Sequence, residues 1–267
     1  MIGVVLGVAL FVGLVWAGVV RNPLWPTTHG DLALARSNRP GLRVLFVGNS
    51  LTYTNSMPAM IEHLAGADGG APRIIPVWYT AGGWTLEEAA DDAGLRRLMR
   101  EAHWSYVVLQ EQSQIGSLSR GSQEEMYAAA AALSARASRN GSRTMLFAPW
   151  AWRSGDGWDV PGDSYSAMQQ RIFTSYAGLS ERLAAPVAPV GAAWKLTIEH
   201  DPGVQLWAGD GVHPSIAGSY LTACVFYVML SGRDPVGDRF IAGLDPGRAR
   251  ELQTAAWLAA GPVTPEP

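Results

Sequence analysis

The sequence predicts an α/β fold: a three-layer α/β/α sandwich on a five-stranded parallel sheet, with one apolar helix ahead of it at the N-terminus. Three observations lead there. Short apolar runs alternate with longer stretches of helical periodicity from residue 43 to residue 231. The runs are apolar at consecutive positions, the pattern of strands covered on both faces. The stretches between them are long enough for crossover helices, and right-handed crossovers put one helical layer on each face of the sheet.

Taken in order, the elements begin with residues 2–20, IGVVLGVALFVGLVWAGVV, ahead of the first charge at Arg21. As a helix this segment is about 28 Å long at about 1.5 Å per residue, close to the hydrocarbon thickness of a bilayer. Trp16 and Trp25 lie towards its C-terminal end, where amphipathic rings suit the interface. Residues 1–20 are expected to be a transmembrane anchor. The alternative is a cleaved secretory signal, since residues 15–17 resemble a small-residue cleavage pattern. Arg21, Arg36, Arg39 and Arg43 follow the span, which by the positive-inside tendency favours a cytoplasmic domain. A very short N-terminus followed at once by an apolar run is also how exported chains begin, and an extracytoplasmic domain is the expectation.

Residues 21–41 carry Pro23, Pro26, Gly30, Pro40 and Gly41 and read as a linker. Residues 42–260 form the domain. Its strands are expected at the apolar runs 43–47, 73–78, 106–110 and 144–148, with a weaker fifth at 186–190. Helices are expected at 57–65, 86–100, 123–139, 165–184 and 215–231. The second is introduced by Thr85 and Glu88 in capping-box spacing, the third holds the alanine run 128–132, and the last is started by Pro214. Residues 261–267 contain three prolines and read as a disordered tail.

Composition narrows the function. Twenty Lys and Arg against 23 Asp and Glu leave a net charge of −3, with no basic footprint for nucleic acid. The single cysteine, Cys224, excludes an internal disulfide framework and a multi-cysteine metal cluster, and reads as packing in an apolar helix. No H-x-x-x-H pair or carboxylate cluster points to a metal.

In a parallel sheet the ligand sits beyond the carboxyl ends of the strands, so chemistry is sought there. After the first strand comes Gly48-Asn49-Ser50-Leu51-Thr52. Gly48 permits a sharp turn and Ser50 sits near free backbone N–H groups, as a nucleophile or as an ordinary helix cap. After the second comes Gly82-Gly83-Trp84-Thr85, where glycines let backbone N–H groups approach a substrate oxygen closely. After the third come Gln110, Glu111, Gln112, Ser113 and Gln114, a polar run whose side-chain amides suit an oxyanion. Ahead of the last helix stands Asp210-Gly211-Val212-His213. An activated serine needs an imidazole base, and the imidazole a carboxylate on its other nitrogen; the same four residues also read as an Asp turn followed by an incidental histidine.

These four places, in this order, resemble the SGNH or GDSL-type hydrolase superfamily across about residues 42–231. Gly48-Asn49-Ser50-Leu51 is similar to the first block, with Asn49 where Asp is more usual. Gly83-Trp84-Thr85 is similar to the glycine block, Gln110-Glu111-Gln112-Ser113 occupies the place of G-x-N-D, and Asp210-Gly211-Val212-His213 matches D-x-x-H. The resemblance implies a flavodoxin-like sheet order, Ser50 as nucleophile, His213 as general base and Asp210 as its orienting acid. It further implies oxyanion donors at the backbone N–H groups of Ser50 and Gly83 and at a side-chain amide. Gln112 aligns with the usual Asn but is one methylene longer, so Gln110 is the alternative.

The activity implied is cleavage of a carboxylic ester through an acyl-serine intermediate, without cofactor or metal. The rivals are acyl transfer with the same three residues and a catalytically silent, membrane-tethered binding domain. Trp84, Trp150, Trp152, Trp158 and Trp207 fall in segments expected near the strand-carboxyl face. Aromatic walls there suit a glycan ester or a small lipid ester, with Trp84 and Trp150 as the substrate contacts; the same rings are also what a core packs.

Overall fold

Residues 44–47 are apolar throughout because both faces of their strand are covered. Val44 and Phe46 point into one buried cluster, and Leu45 and Val47 into a second on the other side. The computed structural model of the chain describes residues 25–261. In chain order these fold into β1 (Thr27–Gly30), α1 (Leu32–Arg36), β2 (Leu42–Gly48), α2 (Ser50–Tyr53), α3 (Met57–Ala67), β3 (Ile74–Thr80), α4 (Leu86–Asp91), α5 (Ala93–Glu101) and β4 (Tyr106–Leu109). There follow α6 (Arg120–Arg139), β5 (Arg143–Phe147), α7 (Tyr165–Leu183), β6 (Val187–Ala188), α8 (Val190–His200), α9 (Ile216–Ser231) and α10 (Pro246–Ala260).

The strands form one sheet in the order β1-β3-β2-β4-β5-β6. The last five pair in parallel, while β1 runs antiparallel to β3. The expected five-stranded parallel sheet is thus a six-stranded mixed one. Its extra edge strand comes from residues 21–41, expected to be a linker. That segment also holds α1, and Arg43 pins the chain between α1 and β2 by donating to the carbonyls of Ala35 (2.8 Å), Ser37 (2.6 Å) and Arg39 (2.7 Å). Helices α3, α8, α9 and α10 cover one face of the sheet and α4, α5, α6 and α7 the other, completing three layers. Residues 220–228 of α9 are buried on every side, which explains its unbroken apolar sequence.

Two elements differ locally from expectation. The helix expected at 86–100 is broken at Asp92, which has extended backbone angles. Its carboxylate accepts from the Leu95 N–H (2.6 Å), starting a second helix, and from the Tyr79 hydroxyl (3.0 Å). The fifth parallel strand shrinks to two residues because Pro186 and Pro189, which lack N–H donors, bracket it, and Val190 already begins α8. The apolar segment 1–20 and the tail residues 262–267 lie outside the described residues. Among the described residues no helix is long and apolar enough to cross a membrane.

Chain order along the parallel strands reverses between β2 and β4, and the crevice at such a switch point is where ligands bind in sheets of this kind. Ser50 follows β2, and the polar run 110–114 follows β4.

Candidate active site

The turn after β2 is fixed by close packing. A Cβ on Gly48 would lie 2.5 Å from Gln110 Oε1 and 2.8 Å from Thr52 Oγ1, so no larger residue fits. Asn49 caps α2 by accepting the Leu51 N–H at 3.2 Å. Ser50 is the first residue of α2, so its N–H has no acceptor within the helix.

Its hydroxyl lies 2.8 Å from His213 Nε2, and His213 Nδ1 lies 2.5 Å from Asp210 Oδ2. The other Asp210 oxygen accepts the N–H groups of Val212 (2.9 Å) and His213 (3.0 Å), which folds the Asp-x-x-His turn onto itself. Burial raises the Asp210 carboxyl, but its hydrogen bonds from His213 and Val212 and the charge of the imidazole outweigh that and hold it at about 2. Asp210 is therefore an anion at any pH near neutrality, and with its acceptor on Nδ1 the imidazole turns Nε2 to the serine.

Tryptophans carry this loop from beneath. Trp150 stacks on Trp194 with ring centroids 4.1 Å apart and planes 6° from parallel, and its Nε1 donates to the Val212 carbonyl at 3.0 Å. Backbone bonds from Ala208 N–H to the His213 carbonyl (2.7 Å) and from Ser215 N–H to the Leu206 carbonyl (2.8 Å) close it from the side. Trp150, expected to contact substrate, is 0% exposed, so it supports the His213 loop from within the core. Trp207 is also buried and donates to the Ala151 carbonyl, and Trp152 donates to Ser113 Oγ (3.1 Å). Trp84 is 8% exposed and packs on Tyr79, whereas Trp158 is 82% exposed.

The glycine turn and the polar run are knitted to the turn that carries Ser50. Asn49 Nδ2 donates to the Trp84 carbonyl at 2.9 Å, tying the two turns together. Gly83 is exposed at φ +68°, with open space where a Cβ would project, and its N–H takes no part in the Ala81–Trp84 turn bond. Thr85 and Glu88 form the expected capping box of α4.

Gln110 is committed inward: Oε1 accepts the Asn49 N–H (3.0 Å) and the Thr52 hydroxyl (2.9 Å), and Nε2 donates to the Glu111 carbonyl. Its amide therefore braces the turn that carries Ser50 and does not face a ligand. Gln112 is half-buried; its Nε2 donates to Gln114 Oε1 (3.1 Å) and its Oε1 accepts the Gln114 N–H (2.7 Å), leaving a second N–H hydrogen uncommitted.

Sequence reasoning missed the part played by Asn49 and Glu111. Glu111 is 2% exposed, and Oε1 accepts the N–H of Gln112 (2.6 Å) and of Leu86 (3.2 Å), bridging the polar run to the start of α4. Burial pushes its carboxyl up from 4.5 to about 7, against those two bonds and with help from the charges of Glu88 and Glu87. A charged residue among apolar strand ends was the available signal. Among the described residues no three His, Cys, Asp or Glu side chains converge as metal ligands.

No family model and no curated protein matches the sequence. Solved structures do. One described as an SGNH hydrolase, from Slackia heliotrinireducens, is 29% identical, with a TM-score of 0.59 over 70% of this chain and 97% of that one. A DUF4886 family protein from Bacteroides uniformis matches at TM-score 0.65 and 18% identity, over 80% of this chain and 93% of that one. An acetylxylan esterase from Geobacillus stearothermophilus matches at TM-score 0.56 and 18% identity, over 74% and 98%. The latter two share the fold; the first shares sequence as well. With the four sequence blocks meeting at one end of the sheet, the likeness to the first of these supports membership of the chain in the SGNH/GDSL hydrolase superfamily.

Proposed function

We propose that the protein is a serine ester hydrolase acting on a carboxylic ester through an acyl-serine intermediate. The observation that carries this is the unbroken relay from Ser50 Oγ through His213 to the Asp210 carboxylate, at 2.8 and 2.5 Å. His213 Nε2 takes the hydroxyl proton as Oγ bonds to the ester carbon. The resulting oxyanion faces the N–H groups of Ser50 and Gly83, with Gln112 as the side-chain donor. As the intermediate collapses, the imidazolium returns its proton to the leaving alkoxide, and the alcohol departs. Water repeats the sequence: His213 takes its proton, the acid leaves, and Ser50 is restored. Asp210 holds the ring's orientation and balances its transient charge.

The substrate class is a short acyl ester of a carbohydrate or of a small lipid. The likeness to an acetylxylan esterase supports starting with acetylated sugars. A fluorophosphonate probe, together with p-nitrophenyl acetate and acetylated oligosaccharides, tests the reading. Labelling and acid release that vanish in Ser50→Ala are expected; a wild-type chain neither labelled nor active on any of them would favour the silent binding domain instead.

A further inference from the structure

The turn between α2 and α3 contains two consecutive residues, neither of them glycine, in the left-handed region: Asn55 (φ 57°, ψ 21°) and Ser56 (φ 52°, ψ 42°). Side chains other than glycine adopt this region sparingly, asparagine more readily than most, and a pair persists only where the surroundings hold it. What holds it is the Asn55 side chain. One Nδ2 hydrogen goes to the Pro214 carbonyl (3.1 Å) and the other to Ser219 Oγ (2.9 Å). Ser219 in turn donates to the Thr54 carbonyl (3.3 Å), closing a ring of bonds between this turn and the start of α9. Pro214 is the residue after the proposed general base, and Asn55 lies just beyond the end of the short helix that Ser50 begins. The segments that must bring a hydroxyl to an imidazole, 163 residues apart in sequence, are thus pinned together beside the reacting pair.

We propose that Asn55 is a positioning residue: its side-chain amide, held out by the left-handed turn, sets the approach of Ser50 to His213 by fixing the backbone on either side of that hydrogen bond. The inference rests on the reading of Ser50 and His213 as nucleophile and base. Neither Asn55 hydrogen is left for a substrate, so its influence passes through the 2.8 Å contact and not through binding.

Three variants separate the amide from the backbone. Asn55→Gly keeps the left-handed turn at no steric cost and removes both bonds. Asn55→Asp keeps the shape but presents an acceptor to the Pro214 carbonyl. Asn55→Ala removes the bonds and disfavours the turn. The readouts are the second-order rate of Ser50 labelling by a fluorophosphonate, and kcat and KM on p-nitrophenyl acetate, each measured well below the variant's own melting temperature. A misplacement of about 1 Å between reacting groups costs on the order of 100-fold.

Gly and Asp variants labelled some 30- to 300-fold more slowly, on the order of that cost, with kcat reduced and KM within about threefold of wild type, are the expected result. A fall in melting temperature with labelling and kcat intact in the Gly variant would make the contact merely structural and overturn the proposal. So would an Ala variant impaired where Gly is not, which would assign the role to the turn alone. Labelling of the wild-type chain that survives Ser50→Ala overturns the proposed function itself, and is distinguished by that control.

Discussion

Glu111 supplies a prediction whose sign and size both come from its surroundings. Its carboxyl is buried at the end of β4, where ionisation is opposed by lost hydration and only partly offset by the N–H groups of Gln112 and Leu86. The folded protein therefore holds this proton up to about pH 7, whereas the exposed group gives it up at 4.5. Between those values the folded state binds more protons than the unfolded one, so stability falls as pH rises. The stabilisation is complete below the lower value and lost as pH passes the upper. At about 1.36 kcal/mol per pH unit, the whole span amounts to about 3 kcal/mol.

Glu111→Gln cannot titrate, and its amide puts an N–H where an acceptor stood. That moves its whole stability curve by a constant without giving it this slope. The assay is urea unfolding of wild type and variant at about pH 4.5 and about pH 8, extrapolated to water. The stability difference, wild type minus Glu111→Gln, should drop by about 3 kcal/mol from the lower pH to the higher. Titrating groups that do not interact with Glu111 cancel in that difference. A difference that stays constant across the range would refute the reasoning.

Asp210→Asn should lower turnover on the order of 10⁴-fold, measured as acid release, because the amide cannot hold the imidazole as the carboxylate does. Asp210 is held at about 2, below its ordinary 3.8, so its contribution to stability is present above about pH 4 and lost as pH falls towards 2; acid unfolding of Asp210→Asn should lack that component. Gln112→Ala should reduce turnover by about 10²–10³-fold with little change in melting temperature. Gln110→Ala should instead destabilise the fold by about 2–4 kcal/mol, since it strands the buried Asn49 N–H and Thr52 hydroxyl, and chemical denaturation distinguishes the two glutamines. Trp150→Phe keeps a ring on Trp194 but orphans the Val212 carbonyl; a loss of about 1–3 kcal/mol in unfolding free energy and slower labelling of Ser50 are expected.

The parallel strands were legible because strands buried on both faces are apolar without alternation, as Val44 to Val47 are. β1 was not: Thr27, Thr28, His29 and Gly30 show neither apolar run nor alternation, and they pair only because the exposed edge of β3 is offered to them. α10 was missed because it is alanine-rich and only weakly one-sided in its apolar pattern, with Leu252 and Ala256 finding their cover on α8 and α9, which local pattern does not reveal. At the site, Ser50, Asp210 and His213, which the fold brings together, stood out in the sequence because the chemistry proposed for them dictates residue type. The braces did not. Asn49, Gln110 and Asn55 act through one or two hydrogen bonds to backbone and hydroxyl groups far away in sequence, and Trp150 looked like a substrate wall because an indole serves a core as readily as a cleft. The proposed chemistry constrains the side chains assigned to it; the side chains that brace the backbone around them leave almost no signature.

The direction of β1 decides from which side the chain reaches its domain. Thr27 lies beside Thr80, the last residue of β3, and Gly30 lies beside Val77. The polypeptide therefore enters at the rim bearing Ser50 and Gly83 rather than at the opposite one. Were residues 2–20 anchored in a bilayer, the six residues 21–26 would be all that joins them to that rim. Fully extended, such a leash spans about 20 Å. The Ser50 rim would then hang close above the lipid, within reach of a substrate displayed at the membrane and poorly placed for one in bulk solution.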